Sequence, residues 1–269
     1  MKLIELEDVS FKYKNDKNYS TNILNNISFS INHKESVAIV GDNGSGKTTL
    51  AKIISGLLKP TSGNIKLNGT LINDKNFKDL YKEISLVFQN PEIQFLGSDV
   101  ESDLAFGLEI RNIENKIMKK KVFDQLKYFS IYDIKNKTPH SLSGGQKQLV
   151  SIASQTINNA NLVIYDEPVS MLDNINSEKI IEKIFEISSA KIILTHNMNL
   201  ALMCDKLIYL EDNSIKFIGK PTHFFNNIKN YNSNLEIPFA LKNSSKLEKI
   251  KKKVNIYNYL ELWRYLDEN

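Results

Sequence analysis

The chain has 269 residues with a formal net charge of +4, and 41% of its residues are hydrophobic and 25% charged. At about 150 residues per domain this allows one large or two small domains, with a core that needs no staple, and it excludes wholesale disorder. A lone cysteine, Cys204, excludes an internal disulfide and points to a reducing compartment, and only Arg111 and Arg264 are arginines, so the lysine excess, shared with Asn and Ile, reads as codon bias rather than as a nucleic-acid surface.

The N-terminal stretch Met1 to Asp8 carries acids inside its apolar run and has no signal-peptide core. Leu3 to Val9, Ile27 to Ile31 and Ile65 to Leu71 are short and separated by turns, which predicts an antiparallel patch. Ser36 to Val40 is a buried-strand run followed by glycines and a helix from Lys47 to about Ser55. Ile84 to Phe88 predicts another strand, and Asp99 to about Gln155 is mostly helical. Leu162 to Tyr165 and Lys191 to Thr195 are further apolar runs, each followed by turn residues and a helix, the pattern of parallel strands with helical crossovers. After Gly219 the pattern weakens. The run Lys246 to Lys253 reads either as a solvated helix face or as an attraction to anionic lipid. An amphipathic segment, Tyr257 to Leu266, follows it. No run of about 18 apolar residues is present to span a membrane.

Gly41-Asp42-Asn43-Gly44-Ser45-Gly46-Lys47-Thr48 fits GxxxxGK[ST], between an apolar strand and a helix as that motif requires. Its glycines permit positive φ, so backbone N–H groups converge on phosphate oxygens. Lys47 reaches the β- and γ-phosphates, the Thr48 hydroxyl ligates Mg²⁺ with Thr49 beside it, and the helix N-terminus adds a favourable dipole. Leu162 to Glu167 is an apolar strand ending in two acids, which needs a cation nearby. Behind a phosphate loop, Asp166 reads as a holder of the Mg²⁺ shell and Glu167 as the group that positions or deprotonates the attacking water.

Ser141-Leu142-Ser143-Gly144-Gly145-Gln146-Lys147-Gln148 supplies a second helix N-terminus with free N–H groups. Two phosphate-binding features far apart in one chain make sense if two chains meet head to tail. LSGGQ in this order resembles the signature of ATP-binding cassette (ABC) ATPases. That resemblance implies an α/β fold: a RecA-like P-loop NTPase core, an antiparallel β subdomain, a helical signature subdomain at about 91–157 and a small C-terminal extension. It implies a nucleotide-binding domain over 1–220, and an extension over 221–269 that contacts a second ATPase. It also assigns Gln89 to Mg²⁺ and γ-phosphate sensing, Tyr13 to adenine stacking, Asp173 in Ser170-Met171-Leu172-Asp173 to the dimer interface, and His196 to the γ-phosphate. Ser143, Gly144, Gly145 and Gln146 then act on the nucleotide of the opposing subunit. His33, His140 and His223 match nothing and read as surface residues.

Val87 to Gly97, with its Phe-Gln-Asn-Pro, the following Val100 to Glu109, Glu167 to Asp173, and Leu235-Glu236-Ile237-Pro238-Phe239 narrow the resemblance to the ATPases of energy-coupling factor (ECF) transporters, the CbiO-like A component of the first type. This implies an ATP- and Mg²⁺-dependent ATPase driving uptake of a vitamin or metal ion. Its partners are a second ATPase (paralogue or identical copy), a transmembrane coupling subunit and a substrate-binding membrane subunit, with no nucleic acid. The chain is then peripheral, on the cytoplasmic face of the membrane, and the segment around 91–110 forms a helical groove for a membrane subunit. Other ABC transporter subunits and non-transport ABC ATPases are the alternatives. The chain departs from the family at Leu149, where Arg is usual, at Asn174, where Pro is usual, and at Tyr165, which is larger and more polar than usual.

Overall fold

The computed structural model describes residues 1–14, 20–231, 235–238 and 241. The Lys246–Lys253 run, the Tyr257–Leu266 segment and Phe239 lie outside the described residues. In chain order the elements are β1 (Lys2–Lys14), β2 (Ser20–Asn32), β3 (Ser36–Gly41), α1 (Lys47–Ile54), β4 (Ser62–Leu67), β5 (Thr70–Leu71), α2 (Leu80–Glu83) and β6 (Ile84–Val87). They continue with α3 (Val100–Glu109), α4 (Asn115–Tyr128), α5 (Gly144–Thr156), β7 (Leu162–Asp166), α6 (Asn174–Glu186), β8 (Ala190–Leu194), α7 (Met198–Leu202), β9 (Lys206–Glu211), β10 (Ser214–Gly219) and α8 (Pro221–Asn226).

Two sheets form. The first is antiparallel, in the order β2-β1-β4-β5; the second runs β10-β9-β3-β8-β7-β6. In the second, β9, β3, β8, β7 and β6 are parallel and only β10 is antiparallel. The parallel strands have the composition of strands covered on both faces: every residue of β3, β6, β7 and β8 is buried. Alternation along them divides the core. Ala38, Val40, Val163, Tyr165, Ile193, Leu207 and Tyr209 face the helical layer of α3, α4 and α5. Val37, Ile39, Leu162, Ile164, Ile192, Leu194 and Ile208 face α1 and the antiparallel sheet. Lys191 is buried within β8, and its amine bends back to donate to the carbonyls of Ile187 (2.9 Å) and Ser189 (3.2 Å).

The structure refines the sequence expectations in three places. The first strand runs to Lys14 rather than Val9, past an irregularity at Asp8, whose φ is 50°. The apolar stretch 65–71 is not one strand, because Asn68 (φ 48°) and Gly69 (φ 77°) turn the chain back between β4 and β5. The segment 91–110 is not one helix: Pro91–Ile93 is a single 3-10 turn, an irregular stretch follows, and α3 begins at Val100. That stretch is held to α3 because buried Asp103 accepts from the N–H groups of Leu96 (2.8 Å) and Gly97 (3.1 Å).

His33, His140 and His223 are exposed, as expected. Cys204 is buried and unpaired, and burial raises its thiol pKa. Leu149 is partly buried against the helical core, and Tyr165 is fully buried with no hydrogen-bond partner for its hydroxyl. Among the described residues no helix is long and apolar enough to cross a membrane.

Candidate active site

Four strand ends of the parallel sheet converge on one cavity of about 510 Å³. From the loop between β3 and α1, Asn43, Gly44, Gly46, Lys47, Thr48 and Thr49 line it; Gln89 follows β6, Asp166 and Glu167 end β7, and His196 follows β8. This is the position where open α/β sheets bind ligands, outside the carboxyl ends of the strands. Ile23 and Ser170 complete the lining.

Glycine is required in this loop for definite reasons. Gly41 passes so close to β9 that a Cβ there would lie 2.3 Å from the Leu210 carbonyl oxygen. Gly46 has φ 99°, and its Cβ would meet Leu24 Cδ2 at 2.7 Å and the Ile23 carbonyl oxygen at 2.8 Å. Gly41, Asp42 and Ser45 stand behind the lining. Lys47 Nζ donates to the carbonyls of Gly41 (2.8 Å) and Asp42 (3.0 Å), while the buried Ser45 hydroxyl has no partner. Burial lowers the Lys47 pKa, against the opposing pull of Glu167, Asp166 and Asp42.

Thr48 Oγ1 donates to Asp166 Oδ2 at 3.0 Å, which ties the start of α1 to the end of β7. Burial raises the Asp166 pKa, and the Thr48 hydrogen bond and the charge of Lys47 work against that rise. Glu167 has φ 49°, and its backbone N–H donates to the Leu194 carbonyl at 2.9 Å. The left-handed backbone, rare outside glycine and Asn/Asp, turns the carboxylate into the cavity. Its Oε1 is buried without a hydrogen-bond partner, and burial pushes its pKa up to about 7. His196 Nε2 lies 3.6 Å from that oxygen. Burial, then the nearby Lys47 charge, lower the imidazole pKa, which favours the neutral form of His196.

The remaining predicted residues lie elsewhere. Ser143 is the N-cap of α5 and accepts from the Gln146 N–H at 3.3 Å; the Gln146 side chain returns to the Ser143 N–H at 3.1 Å, a capping box. Asp173 is the N-cap of α6, accepting from the Asn176 N–H (2.9 Å) and side-chain amide (2.7 Å). Asn176 in turn sits against Gly145, where a Cβ would be 3.0 Å away. The N-termini of α5 and α6, with Ser143, Gly144, Gly145, Gln146 and Asp173, thus form a second locus, outside the cavity. Tyr13, near the end of β1, is 40% exposed and edge-on to Phe11 at 4.8 Å; it is not among the residues lining the cavity.

Sequence reasoning missed Ile23, which carries no chemical signature. It also missed a second cavity, of about 460 Å³, that shares Glu167, Ser170 and His196 with the first and is walled by Glu236, Ile237 and Pro238. The C-terminal segment therefore reaches the acidic strand end, a tertiary proximity that no local pattern announces.

Residues 24–170 match the family model described as "ABC transporter". The chain belongs to the ABC transporter family. Within that family this ABC ATPase is 41% identical over 263 residues to the energy-coupling factor transporter ATP-binding protein EcfA1 of Ligilactobacillus salivarius, covering 95% of this chain and 91% of that protein. It resembles the solved structure of CbiO1 from Clostridium perfringens, described as part of the ABC transporter complex CbiONQ, with TM-score 0.78 and 28% identity over 93% of this chain and 97% of that one. A dimeric ATP-binding cassette bound to ADP and Pi in a post-hydrolysis state matches with TM-score 0.72 and 28% identity over 81% of this chain and 99% of that one. The family, the RecA-like fold and ATP as the nucleotide agree with the sequence reading.

Proposed function

We propose that this chain is the ATP-hydrolysing subunit of an ECF importer. It pairs head to tail with a second ATPase, a paralogue or an identical copy, and serves a transmembrane coupling subunit and a substrate-binding membrane subunit that takes up a vitamin or metal ion. The observation that carries the reading is the separation of the two loci. The cavity at Lys47, Asp166 and Glu167 and the helix terminus at Ser143 do not meet within the chain, so a nucleotide held by one is closed over only by another subunit's copy of the other.

In this reading the N–H groups of 42–48 and the Lys47 ammonium hold the β- and γ-phosphates of ATP. Lys47 exchanges its two carbonyl partners for phosphate oxygens of full negative charge. Ser45 Oγ, buried and unpartnered, has a hydrogen bond to give. Thr48, Gln89 and Asp166 offer hydroxyl, amide and carboxylate oxygens, a hard donor set that suits Mg²⁺. A Mg²⁺ ion held by these residues would supply charge neutralisation at the phosphates. Glu167 Oε1, with no competing partner, accepts the proton of the water that attacks the γ-phosphorus as the bond to the β–γ bridging oxygen breaks. Neutral His196 keeps an N–H to donate to the γ-phosphate. Tyr13 lies against the adenine. Ser143, Gly144, Gly145 and Gln146 of the opposing subunit contact the same phosphate, and Asp173 crosses the interface. Only ATP spans both subunits, so hydrolysis removes the differential affinity that holds them closed.

Residues 1–220 form the cassette, with a helical subdomain at about 91–157, and 221–269 form an extension contacting the second ATPase. The chain is peripheral to the cytoplasmic face of the membrane. A membrane-subunit helix docks in the groove between α2 and the end of α3, which exposes Leu57, Tyr81 and Ile110, and where Arg111 donates to the Lys82 carbonyl at 3.2 Å. The test is co-purification and uptake with the membrane subunits in proteoliposomes. Ile110→Glu is expected to retain ATP binding while losing assembly and uptake. Wild-type assembly and uptake in that variant would contradict the docking surface, and absence of ATP-driven uptake by the wild-type complex would contradict the function.

A further inference from the structure

The Gln89 loop and the Ser143 helix are fastened to each other by side chains that no catalytic role accounts for. After Gln89, Asn90 Oδ1 accepts from the Glu92 N–H at 2.9 Å and caps the turn Pro91–Ile93, and the Gln94 N–H closes it on the Pro91 carbonyl at 3.1 Å. The half-buried Gln94 side chain then bridges two elements. Its Oε1 accepts from the Phe88 N–H, one residue before Gln89, at 3.2 Å, and its Nε2 donates to the Ser151 carbonyl of α5 at 3.1 Å. A second fastening lies one helical turn away on α5, where Lys147 Nζ meets Glu92 Oε1 at 2.5 Å. The Lys147 side chain is only 16% exposed.

Residues 147 and 151 are four apart and lie on one face of the helix whose N-cap is Ser143. The turn that closes the Gln89 loop is therefore fixed to that helix at two points, and the two cannot shift independently. The Phe88 N–H donates to Gln94, so breaking the link at that end removes an acceptor from a backbone donor. Glu92 is half exposed, and its pairing with Lys147 sets register more than strength.

We propose that Gln94 and the Glu92–Lys147 pair are positioning residues: they transmit displacement of the Gln89 loop in one nucleotide cavity to the Ser143 terminus that the same chain presents to its partner. This rests on the functional reading above. None of the three side chains lines the cavity at Lys47, so their effect must appear in closure and turnover rather than in nucleotide affinity.

The test uses the reconstituted transporter complex with Mg-ATP. Gln94→Glu keeps the acceptor for Phe88 N–H and sets a carboxylate against the Ser151 carbonyl, severing the link to α5 alone; Gln94→Met, near in volume, is the companion if that variant does not fold. Both are expected to lower kcat by about tenfold or more with ATP affinity changed by less than about threefold. Glu92→Lys and Lys147→Glu are each expected to lower kcat, and the double exchange to restore it to within about threefold of wild type, a rescue that loss of packing would not give. Wild-type kcat in Gln94→Glu or Gln94→Met, or a double exchange no better than either single change, overturns the proposal. If the wild-type complex itself has no ATP turnover, the functional reading fails instead.

Discussion

His196 Nε2 stands 3.6 Å from Glu167 Oε1, and burial shifts the two groups in opposite directions. It lowers the imidazole pKa and raises the carboxyl to about 7. The separation is longer than a hydrogen bond, so Glu167 Oε1, the oxygen that takes the proton in the proposed mechanism, is buried and not engaged by the imidazole. Near neutral pH, a carboxyl poised in this way is matched to general-base work.

The pH dependence of kcat/KM reports groups of the free enzyme. In the proposed base role the active form of Glu167 is the carboxylate, so kcat/KM for ATP is expected to rise through pH 7 and level off above it. Below that pH it falls about tenfold per unit. Steady-state phosphate release between pH 6 and 9 checks this, and a profile flat from 6 to 8 would remove Glu167 from the base role.

Stability carries the same signature with a definite sign. Because burial raises its pKa from 4.5 to about 7, Glu167 holds a proton in the folded chain that the unfolded chain has released across that window. Folding stability therefore falls as pH rises from about 4.5 to 7, and the deficit persists above. Glu167→Gln lacks this cost. Its stability relative to wild type is expected to grow between pH 5 and pH 8 by on the order of 1–3 kcal/mol. Urea unfolding at the two pH values measures the difference. An unchanged difference would mean that the carboxyl is effectively solvated.

The phosphate loop predicts contrasting outcomes for two neighbouring glycines. Gly46→Ala faces both a positive φ and backbone and side-chain atoms within 2.8 Å, and is expected to cost about 2–4 kcal/mol and to displace α1. Gly44→Ala has φ 82° but open space around its Cβ, and is expected to cost only about 1 kcal/mol. Thermal unfolding of the pair is the check. Equal losses would show that conformational strain alone, and not the approach of Ile23 and Leu24, sets the loop.

The parts of this chain that were legible in sequence are those where chemistry is local. The β3 run, the spacing of Gly41 to Thr48, the acids closing β7 and the helix N-terminus at Ser143 each state their own structure within a few residues. The helix expected around 91–110 begins only at Val100, because buried Asp103 binds the N–H groups of Leu96 and Gly97 from within α3 and holds the preceding stretch irregular. The turn at Asn68-Gly69 lies within an apolar stretch that masks it, although the dipeptide signals it. Ile23 beneath Gly46, Gln94 between Phe88 and Ser151, and Glu236 to Pro238 beside His196 depend on residues far apart in sequence, and no periodicity encodes them. Tyr13 is a different case. Its residue type fits adenine stacking, yet within the single chain it is set apart from the cavity.

In the proposed mechanism Glu167 activates the water that attacks ATP sandwiched between two ATPase subunits. The most direct test is Glu167→Gln in the purified complex with Mg-ATP, measuring both phosphate release and the nucleotide retained after rapid gel filtration. Turnover is expected to drop by about 100-fold or more while unhydrolysed ATP stays bound in a closed dimer. Turnover at the wild-type rate, or loss of ATP from the variant at the rate of the wild type, would contradict it.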